Sequence, residues 1–228
     1  MMYSWRQRGD TTVVDEPFYA YYLSRTGRDH PGREDTLSSQ SIDPASVISD
    51  VVLAEYETPI VYYKQIAKHV VDLDLDFILH PECVNLFLTR NPHDLLTSWQ
   101  IQLPNSTYAD TGFDEMLRIL DVLLEADRTP AVIETSLLLE DPGRVLAAAC
   151  AHVGIDFDPA VLSWPAGPKP EDGVWGRYWY DSVWASTGWN PARPKDVELV
   201  DTIADALEPS LAAYEKLSPY RLAASNGV

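Results

Sequence analysis

Short runs of apolar residues recur along the chain, and each is followed by a stretch whose composition suits a helix. The runs are too short for helices and are rich in β-branched and aromatic residues, which favours strands. Apolar strands that alternate with helices are typical of a parallel sheet that is buried on both faces. The pattern therefore predicts an α/β fold with strands at residues 11–15, 59–63, 84–89 and 130–133.

The segments between these strands predict the helices and the loops. Helices are expected at residues 1–8, in the aromatic stretch FYAYYL, from Pro44, and at 142–152. Residues 25–40 are rich in Gly, Asp, Arg and Ser, which indicates an exposed loop or lid. Residues 164–189 hold five of the seven tryptophans among prolines and glycines, which is typical of a long functional loop. An amphipathic helix at residues 195–217 is expected to close the domain.

Composition limits the domain organisation and the partners. The 228 residues, 46% of them hydrophobic, suit a single domain with one core. The chain shows no long apolar segment and no secretory signal pattern, so we expect a cytoplasmic protein without a membrane partner. A net charge of -18 opposes binding to nucleic acid, which is itself a polyanion, although a few local cations can still hold an anionic ligand.

The two cysteines, Cys83 and Cys150, stand in unrelated contexts. We expect them to be buried thiols that form neither a disulfide nor a metal site. No metal is predicted.

Polar residues follow the predicted strands, where ligands bind in α/β sheets. The positions of interest are Asp15, Glu16, Lys64, Arg90 and Asn91.

The sequence FLTRNPHDLLTSW places Arg90 after a buried strand and Ser98 on the helix that follows. An arginine supplies a forked donor for phosphate, and a helix hydroxyl adds a second hydrogen bond. This segment resembles the sulfotransferase motif that holds the 3′-phosphate of 3′-phosphoadenylyl sulfate (PAPS). The alternative is an arginine that pairs with a surface carboxylate, beside a serine without a role.

A second segment, VIETSLLLEDPGRVLAAACAHVGI, is similar to a strand and helix of the same family. Asp141 is predicted to cap this helix, Pro142 to occupy its first turn and Gly154 to end it. Many relatives have a tyrosine that contacts the adenine where this chain has Thr135. Any well-capped helix would give the same pattern.

A third segment, GPKPEDGVWGRYW, resembles the family's loop over the 3′-phosphate. The resemblance implies that Lys169 neutralises phosphate charge, that Gly173 permits close backbone approach, and that Trp175 stacks on the ligand or excludes water. Arg177 is a weaker candidate of this kind. The alternative is a loop that covers the core without touching a ligand.

The resemblance implies a P-loop NTPase-like, three-layer α/β fold with a mostly parallel sheet. Relatives begin with a strand and a loop that binds the 5′-phosphosulfate, whereas this chain starts at the following helix, so we expect an N-terminally truncated domain. The Gly27–Gly32 spacing does not replace that loop, because no strand precedes it and Arg33-Glu34 follows it. Two explanations of the missing strand and loop stay open. The sequence is a fragment or has a misassigned start, or the protein is degenerate and no longer catalyses.

The resemblance also implies in-line transfer of a sulfuryl group without a covalent enzyme intermediate. Lys64 would stabilise charge on the bridging oxygen. The histidine that many relatives place two residues after this lysine is absent, so Glu16 and His69 are the candidate bases. Alternatively, Glu16 caps the next helix and His69 lies on a solvated face.

Taken together, the sequence predicts transfer from PAPS to a hydroxyl or amine of a small aromatic or amphiphilic acceptor. One alternative is a binding protein that keeps the fold without the transfer chemistry. A P-loop kinase or nucleotidase is less favoured, because the Walker lysine and a magnesium-binding Asp pattern are absent.

Overall fold

The computed structural model describes residues 1–103, 106–191 and 198–222. The chain forms two compact units: unit 1 comprises Met1–Leu73 and Asp158–Trp189, and unit 2 comprises Asp74–Phe157 and Asn190–Val228. Within the described residues, each unit contains one pair of parallel strands. Parallel strands with helices between them confirm the predicted α/β class. A single domain over the whole chain stays a prediction.

The strands are β1 (Thr11–Asp15), β2 (Ile60–Lys64), β3 (Leu86–Thr89) and β4 (Ala131–Glu134). The α-helices are α1 (Met2–Trp5), α2 (Tyr19–Thr26), α3 (Arg33–Ser39), α4 (Pro44–Val47), α5 (Pro92–Gln102), α6 (Phe113–Glu125), α7 (Thr135–Glu140), α8 (Pro142–Val153), α9 (Gly176–Trp179), α10 (Asp181–Trp184), α11 (Asp201–Ala204) and α12 (Leu207–Leu217). A π-helical turn, Ile48–Val52, continues α4. The 3-10 turns are Ala67–Val70, Asp76–Leu79, Tyr108–Thr111, Pro159–Leu162 and Ser218–Tyr220.

In unit 1, β1 and β2 pair in parallel with Asp15 opposite Lys64. The β-branched residues of β1 suit an extended backbone, and the apolar runs of both strands are long enough for one strand each. Trp5 of α1 stacks on Tyr62 of β2 with ring centroids 5.0 Å apart. The pairing therefore brings the carboxyl ends of two strands, and their polar side chains, to one edge.

The segment between α2 and α4 corrects a prediction. Residues 25–40 were expected to form a loop, but α3 occupies Arg33–Ser39. Gly27 and Gly32 have φ angles of 67° and 72°, so they end α2 and begin α3 in a left-handed conformation that suits glycine. The tryptophan-rich segment 164–189 was likewise expected to be a loop, but it contains α9 and α10. Aromatic contacts hold these two helices, which are too short to show a periodic pattern in the sequence.

In unit 2, β3 pairs in parallel with β4, and α8 confirms the predicted caps. The carboxylate of Asp141 accepts a hydrogen bond from the Arg144 N–H at 3.1 Å, and Pro142 occupies the first turn. Gly154 ends the helix with a φ of 83°. Neither Cys83 nor Cys150 forms a disulfide; Cys150 is buried as predicted, whereas Cys83 is half-buried.

The predicted helix at residues 195–217 is wrong in its bounds. Residues 195–197 lie outside the described residues, α11 begins at Asp201, and a turn at Asp205 and Ala206 separates it from α12. The cause lies in Pro209, whose ring would clash with the carbonyl of Asp205 in a continuous helix.

Candidate functional site

The candidate site of unit 1 begins where β1 ends. Here Glu16 has a φ of 43°, a left-handed conformation that is unusual for a residue with a side chain. The Glu16 N–H donates to the Lys64 carbonyl at 2.7 Å, which extends the pairing of the strands. The Glu16 carbonyl accepts from the Tyr19 N–H and from Nε2 of Gln40, each at 3.0 Å. The backbone therefore holds this carboxylate at the strand edge.

Lys64 connects two buried carboxylates. Its Nζ donates to Oδ1 of Asp15 at 3.2 Å and to Oε1 of Glu16. The side chain of Lys64 is 26% exposed, whereas those of Asp15 and Glu16 are buried. The ammonium therefore lies beside two negative charges, which it partly neutralises.

Tyr180, between α9 and α10, contributes a hydroxyl that sequence reasoning missed. The hydroxyl lies 2.8 Å from both oxygens of Asp15 and 3.2 Å from Oε1 of Glu16. Nζ of Lys64 and Nε1 of Trp175 both donate to it, the latter at 3.2 Å. Tyr180 is 165 residues from Asp15 in sequence, so no local pattern points to this contact.

The predicted residue Gly173 also belongs to this cluster. Its N–H donates to Oδ2 of Asp15 at 3.0 Å. A Cβ atom at this position would lie 2.1 Å from the indole of Trp175, so only glycine fits here without a shift. The close approach predicted for Gly173 is therefore made to Trp175 and Asp15 within the protein. An approach to a ligand stays a prediction.

His69 lies in the core of unit 1. It is 2% exposed, and its ring stacks on that of Tyr19 with centroids 4.5 Å apart. Its Nδ1 is 3.6 Å from Oε2 of Glu16 and makes no hydrogen bond among the described residues. The alternative of a solvated face does not hold, because Lys68 is buried as well.

The surroundings shift the proton affinities of these groups. Burial, reinforced by the charge of Asp15, raises the pKa of Glu16 above its ordinary 4.5 despite the attraction of Lys64. Burial lowers the pKa of Lys64, but the carboxylates of Glu16 and Asp15 outweigh it and hold that pKa above 10.5. Burial and the neighbouring Lys68 and Lys64 lower the pKa of His69 well below 6.5. At neutral pH the lysine is therefore charged and the histidine neutral.

Burial and the nearby carboxylates of Glu16 and Asp15 raise the pKa of Tyr180 far above 10. The pKa of Tyr19 is raised by burial and by Glu16 in the same way. Both phenols therefore keep their protons at neutral pH and serve as hydrogen-bond donors.

The remaining candidates of unit 1 have protein partners. Nζ of Lys169 donates to the Ala166 carbonyl at 3.1 Å, and Trp175 is 2% exposed within the aromatic core. Arg177 forms an exposed pair with Asp35 at 2.5 Å. A contact of any of these side chains with a ligand stays a prediction.

In unit 2, Arg90 follows β3 and Ser98 lies on α5. Both are half-buried, and neither side chain makes a hydrogen bond or an ion pair with the described part of the chain. The alternative of a carboxylate partner for Arg90 thus finds no support among the residues described. In contrast to these two side chains, Thr135 has a protein partner, since its hydroxyl donates a hydrogen bond to the Thr89 carbonyl at 2.6 Å.

Among the described residues, no three or more His, Cys, Asp or Glu side chains are grouped so as to hold a metal ion. None of their helices combines the length and the apolar character that crossing a bilayer requires.

Known proteins resemble this chain over nearly its whole length. The family profile described as a sulfotransferase domain matches residues 1–217. Branched-chain-amino-acid aminotransferase-like proteins 1 and 2 of Arabidopsis thaliana are 36% and 33% identical over 217 and 219 residues. These alignments cover 95% of this chain but 39% and 38% of the plant proteins, so the chain spans about two-fifths of their length.

Among solved structures, the sulfotransferase domain from the Synechococcus PCC 7002 olefin synthase aligns with a TM-score of 0.48 and 17% identity. The alignment covers 84% of this chain and 73% of that domain. Because the family profile spans residues 1–217, this chain belongs to the sulfotransferase family.

Proposed function

We propose that this protein transfers a sulfuryl group from PAPS to a hydroxyl or amine of a small acceptor. The observation that carries the proposal is the cluster of Asp15, Glu16 and Lys64 at the paired ends of β1 and β2, in a chain of the sulfotransferase family. Strand ends of this kind are where α/β folds place ligands. An ammonium beside a carboxylate combines a cation for an anionic donor with a proton acceptor.

In the proposed reaction, the acceptor oxygen or nitrogen bonds to sulfur while the bond from sulfur to the bridging phosphate oxygen breaks. Glu16 takes the proton that the acceptor loses. As Glu16 becomes protonated, Lys64 exchanges its contact with that carboxylate for a hydrogen bond to the bridging oxygen, on which negative charge develops as 3′,5′-diphosphoadenosine leaves. Asp15 holds the ammonium of Lys64 in place through the contact at 3.2 Å.

Of the two candidate bases, Glu16 is the better supported. A general base works best when its pKa approaches the working pH, and burial moves the pKa of Glu16 in that direction. The pKa of His69 moves away from neutrality, so the ring is a weak proton acceptor. His69 is also enclosed by aromatic rings, which suits a packing role beside Glu16.

Separately, Arg90 and Ser98 of unit 2 are proposed to hold the 3′-phosphate of the donor. Their resemblance to the family motif supports this, and so does the absence of hydrogen-bond partners among the described residues. A guanidinium and a helix hydroxyl fit an anionic group chemically. Lys169, Gly173 and Trp175 stay candidates for donor contacts by resemblance alone.

A second candidate function, binding without transfer, is favoured by one observation. The ammonium of Lys64 can donate three hydrogen bonds, and Asp15, Glu16 and Tyr180 accept all three. A lysine occupied in this way can be a structural link. Such a protein would retain the affinity for the nucleotide and lack the chemistry.

The experiment incubates the purified protein with PAPS and a panel of phenols and amines, and measures 3′,5′-diphosphoadenosine release. We expect turnover in the wild type and a loss of about 10²- to 10⁴-fold in kcat in Glu16→Gln, because a general base contributes about that much. The matched control is Glu57→Gln, which removes an exposed carboxylate of the same unit.

Other outcomes identify the alternatives. Nucleotide binding without turnover in the wild type supports the binding protein. Turnover of ATP with Mg²⁺ in place of PAPS supports a kinase or nucleotidase. Turnover that appears only when in-frame codons before Met1 are expressed supports the predicted missing phosphate loop. Full activity in Glu16→Gln contradicts the role of Glu16.

A further inference from the structure

Two neighbouring carboxylates in unit 1 have different sets of hydrogen-bond donors. Asp15 receives the N–H of Gly173 at 3.0 Å, Nζ of Lys64 at 3.2 Å and the hydroxyl of Tyr180 at 2.8 Å. Glu16 shares Lys64 through Oε1, but among the described residues its Oε2 has no donor closer than Nδ1 of His69, which at 3.6 Å is beyond hydrogen-bond distance. The two carboxylates are therefore not equivalent.

The hydroxyl of Tyr180 explains this difference. A phenolic oxygen accepts hydrogen bonds and donates one. Lys64 and the indole of Trp175 both donate to this oxygen, so the acceptor side is occupied. The single hydroxyl proton then goes to the nearer carboxylate, which is Asp15 at 2.8 Å rather than Glu16 at 3.2 Å.

We propose that Tyr180 is a positioning residue that assigns these carboxylates to different tasks, with Asp15 fixed as the anchor of Lys64 and Glu16 left to exchange a proton. This inference rests on the proposed function, since the exchange serves the transfer reaction. Tyr180 itself contacts no reacting atom in this scheme. It acts by donating to Asp15 and accepting from Lys64, which keeps the ammonium from moving fully towards either carboxylate.

The groups that face Glu16 come from each element packed around it. They are Asp15 from β1, Lys64 from β2, Tyr19 from α2, His69 from the turn Ala67–Val70, and Tyr180 between α9 and α10. Of these, His69 is neutral and the two phenols are protonated at neutral pH, because burial shifts their pKa values in those directions. Glu16 is thus the group whose pKa moves towards neutrality.

The test is Tyr180→Phe, which keeps the ring in the aromatic core and removes the hydroxyl. Without that donor, Asp15 draws the ammonium of Lys64 more strongly and Glu16 loses part of its stabilisation as an anion. We expect the acid limb of the kcat profile to move up by about 0.5 to 1 pH unit. We expect kcat to fall by about 10-fold, with a smaller change in KM. The control is Tyr178→Phe, an exposed tyrosine of the same segment.

A second readout does not require activity. The infrared carbonyl band of a protonated carboxyl, assigned by its loss in Glu16→Gln, is followed against pH in the wild type and in Tyr180→Phe. The inference predicts a higher midpoint in Tyr180→Phe and an unchanged midpoint in Tyr178→Phe. Far-UV circular dichroism and melting curves check that each variant is folded.

Two results overturn the inference. One is an equal midpoint and an equal acid limb in the wild type and Tyr180→Phe. The other is a band that disappears in Asp15→Asn and persists in Glu16→Gln, which assigns the mobile proton to Asp15. Failure of the proposed function is distinct, because it appears as an absence of turnover in the wild type while the infrared titration still reports on the two carboxylates.

Discussion

At the scale of single residues, the ammonium of Lys64 decides how the neighbouring charges behave. Two carboxylates that lie next to each other in sequence are both buried at the end of β1. Burying a carboxylate is unfavourable unless it is paired and hydrogen-bonded. One lysine serves both carboxylates, so a change at this position affects both Asp15 and Glu16.

Lys64→Met leaves Asp15 and Glu16 without their shared cation. We expect the free energy of unfolding at neutral pH to fall by about 2–4 kcal/mol, somewhat below the usual cost because the lysine is partly exposed. The folded pKa of Lys64 is raised, so its stabilisation is present below the ordinary 10.5 and is lost as pH rises through the folded pKa. Urea unfolding between pH 5 and 11 measures both effects.

The control is Lys216→Met on α12, which removes an exposed lysine. A loss of stability in Lys64→Met no larger than in this control would contradict the pairing.

Glu16→Gln tests the raised pKa of Glu16 through stability. The folded protein keeps the Glu16 proton at a pH where the unfolded chain has released it. The stability of the wild type therefore decreases as pH rises from the ordinary 4.5 through the folded pKa. The glutamine variant lacks this dependence, so its stability relative to wild type rises across that range. A difference that is flat with pH would show that the carboxylate titrates normally.

At the scale of secondary-structure elements, the contact between Gly173 and Trp175 determines how the tryptophan-rich segment packs over β1. The glycine brings its N–H to Asp15 and leaves room for the indole. The indole in turn reaches Tyr180. The glycine thus sets the position of both groups that contact Asp15 from this segment.

Gly173→Ala places a methyl group 2.1 Å from the indole of Trp175. We expect a loss of about 1–3 kcal/mol in unfolding free energy, because a close-packed core does not absorb an extra carbon without a shift. Thermal unfolding measures the loss. Gly9→Ala is the matched control, since a Cβ there meets nothing within 4 Å. Equal melting temperatures for the two variants would contradict the close packing.

Sequence reasoning succeeds at this scale where the cause is local. The cap at Asp141 and the ending at Gly154 follow from residues a few positions apart, and β1 is predicted with its observed bounds. The break before α12 also has a local cause, Pro209, that the amphipathic pattern hides. Periodicity does not show α3, α9 and α10, which are short and held by contacts to other elements.

In the candidate site, too, sequence reasoning finds the residues that strand ends determine and misses those that distant contacts determine. Strand ends predict Asp15, Glu16 and Lys64, because parallel pairing brings the ends of strands together. Tyr180 cannot be found this way, since its partner is 165 residues distant. The burial of His69 and Trp175 is likewise a property of the packed core and not of the neighbouring sequence.

At the scale of the whole molecule, a net charge of -18 opposes the approach of an anionic donor. The affinity for the anionic donor must then come from individual cationic side chains in its binding site. The loss of any one of them should therefore weaken binding strongly. Arg90 is the candidate for which resemblance and geometry agree, because its guanidinium makes no hydrogen bond or ion pair within the described ranges.

Arg90→Ala is expected to weaken the binding of 3′,5′-diphosphoadenosine by about 10- to 100-fold, the effect of a charge-assisted hydrogen bond. The unfolding free energy without ligand should change by less than about 0.5 kcal/mol, because no hydrogen bond or ion pair with a described residue is lost. Calorimetric titration measures the affinity. Arg144→Ala, an exposed arginine of the same unit, is the control. Equal affinity in both variants would contradict the proposed contact between Arg90 and the 3′-phosphate.

The left-handed backbone at Glu16 has a practical consequence for engineering. Such a conformation costs a residue with a side chain about 1–3 kcal/mol, and glycine or asparagine would adopt it more easily. Directed evolution for heat tolerance would therefore favour replacements at this position, each of which discards the carboxylate. A library screened for thermal stability without a turnover assay would be enriched in thermostable, inactive proteins.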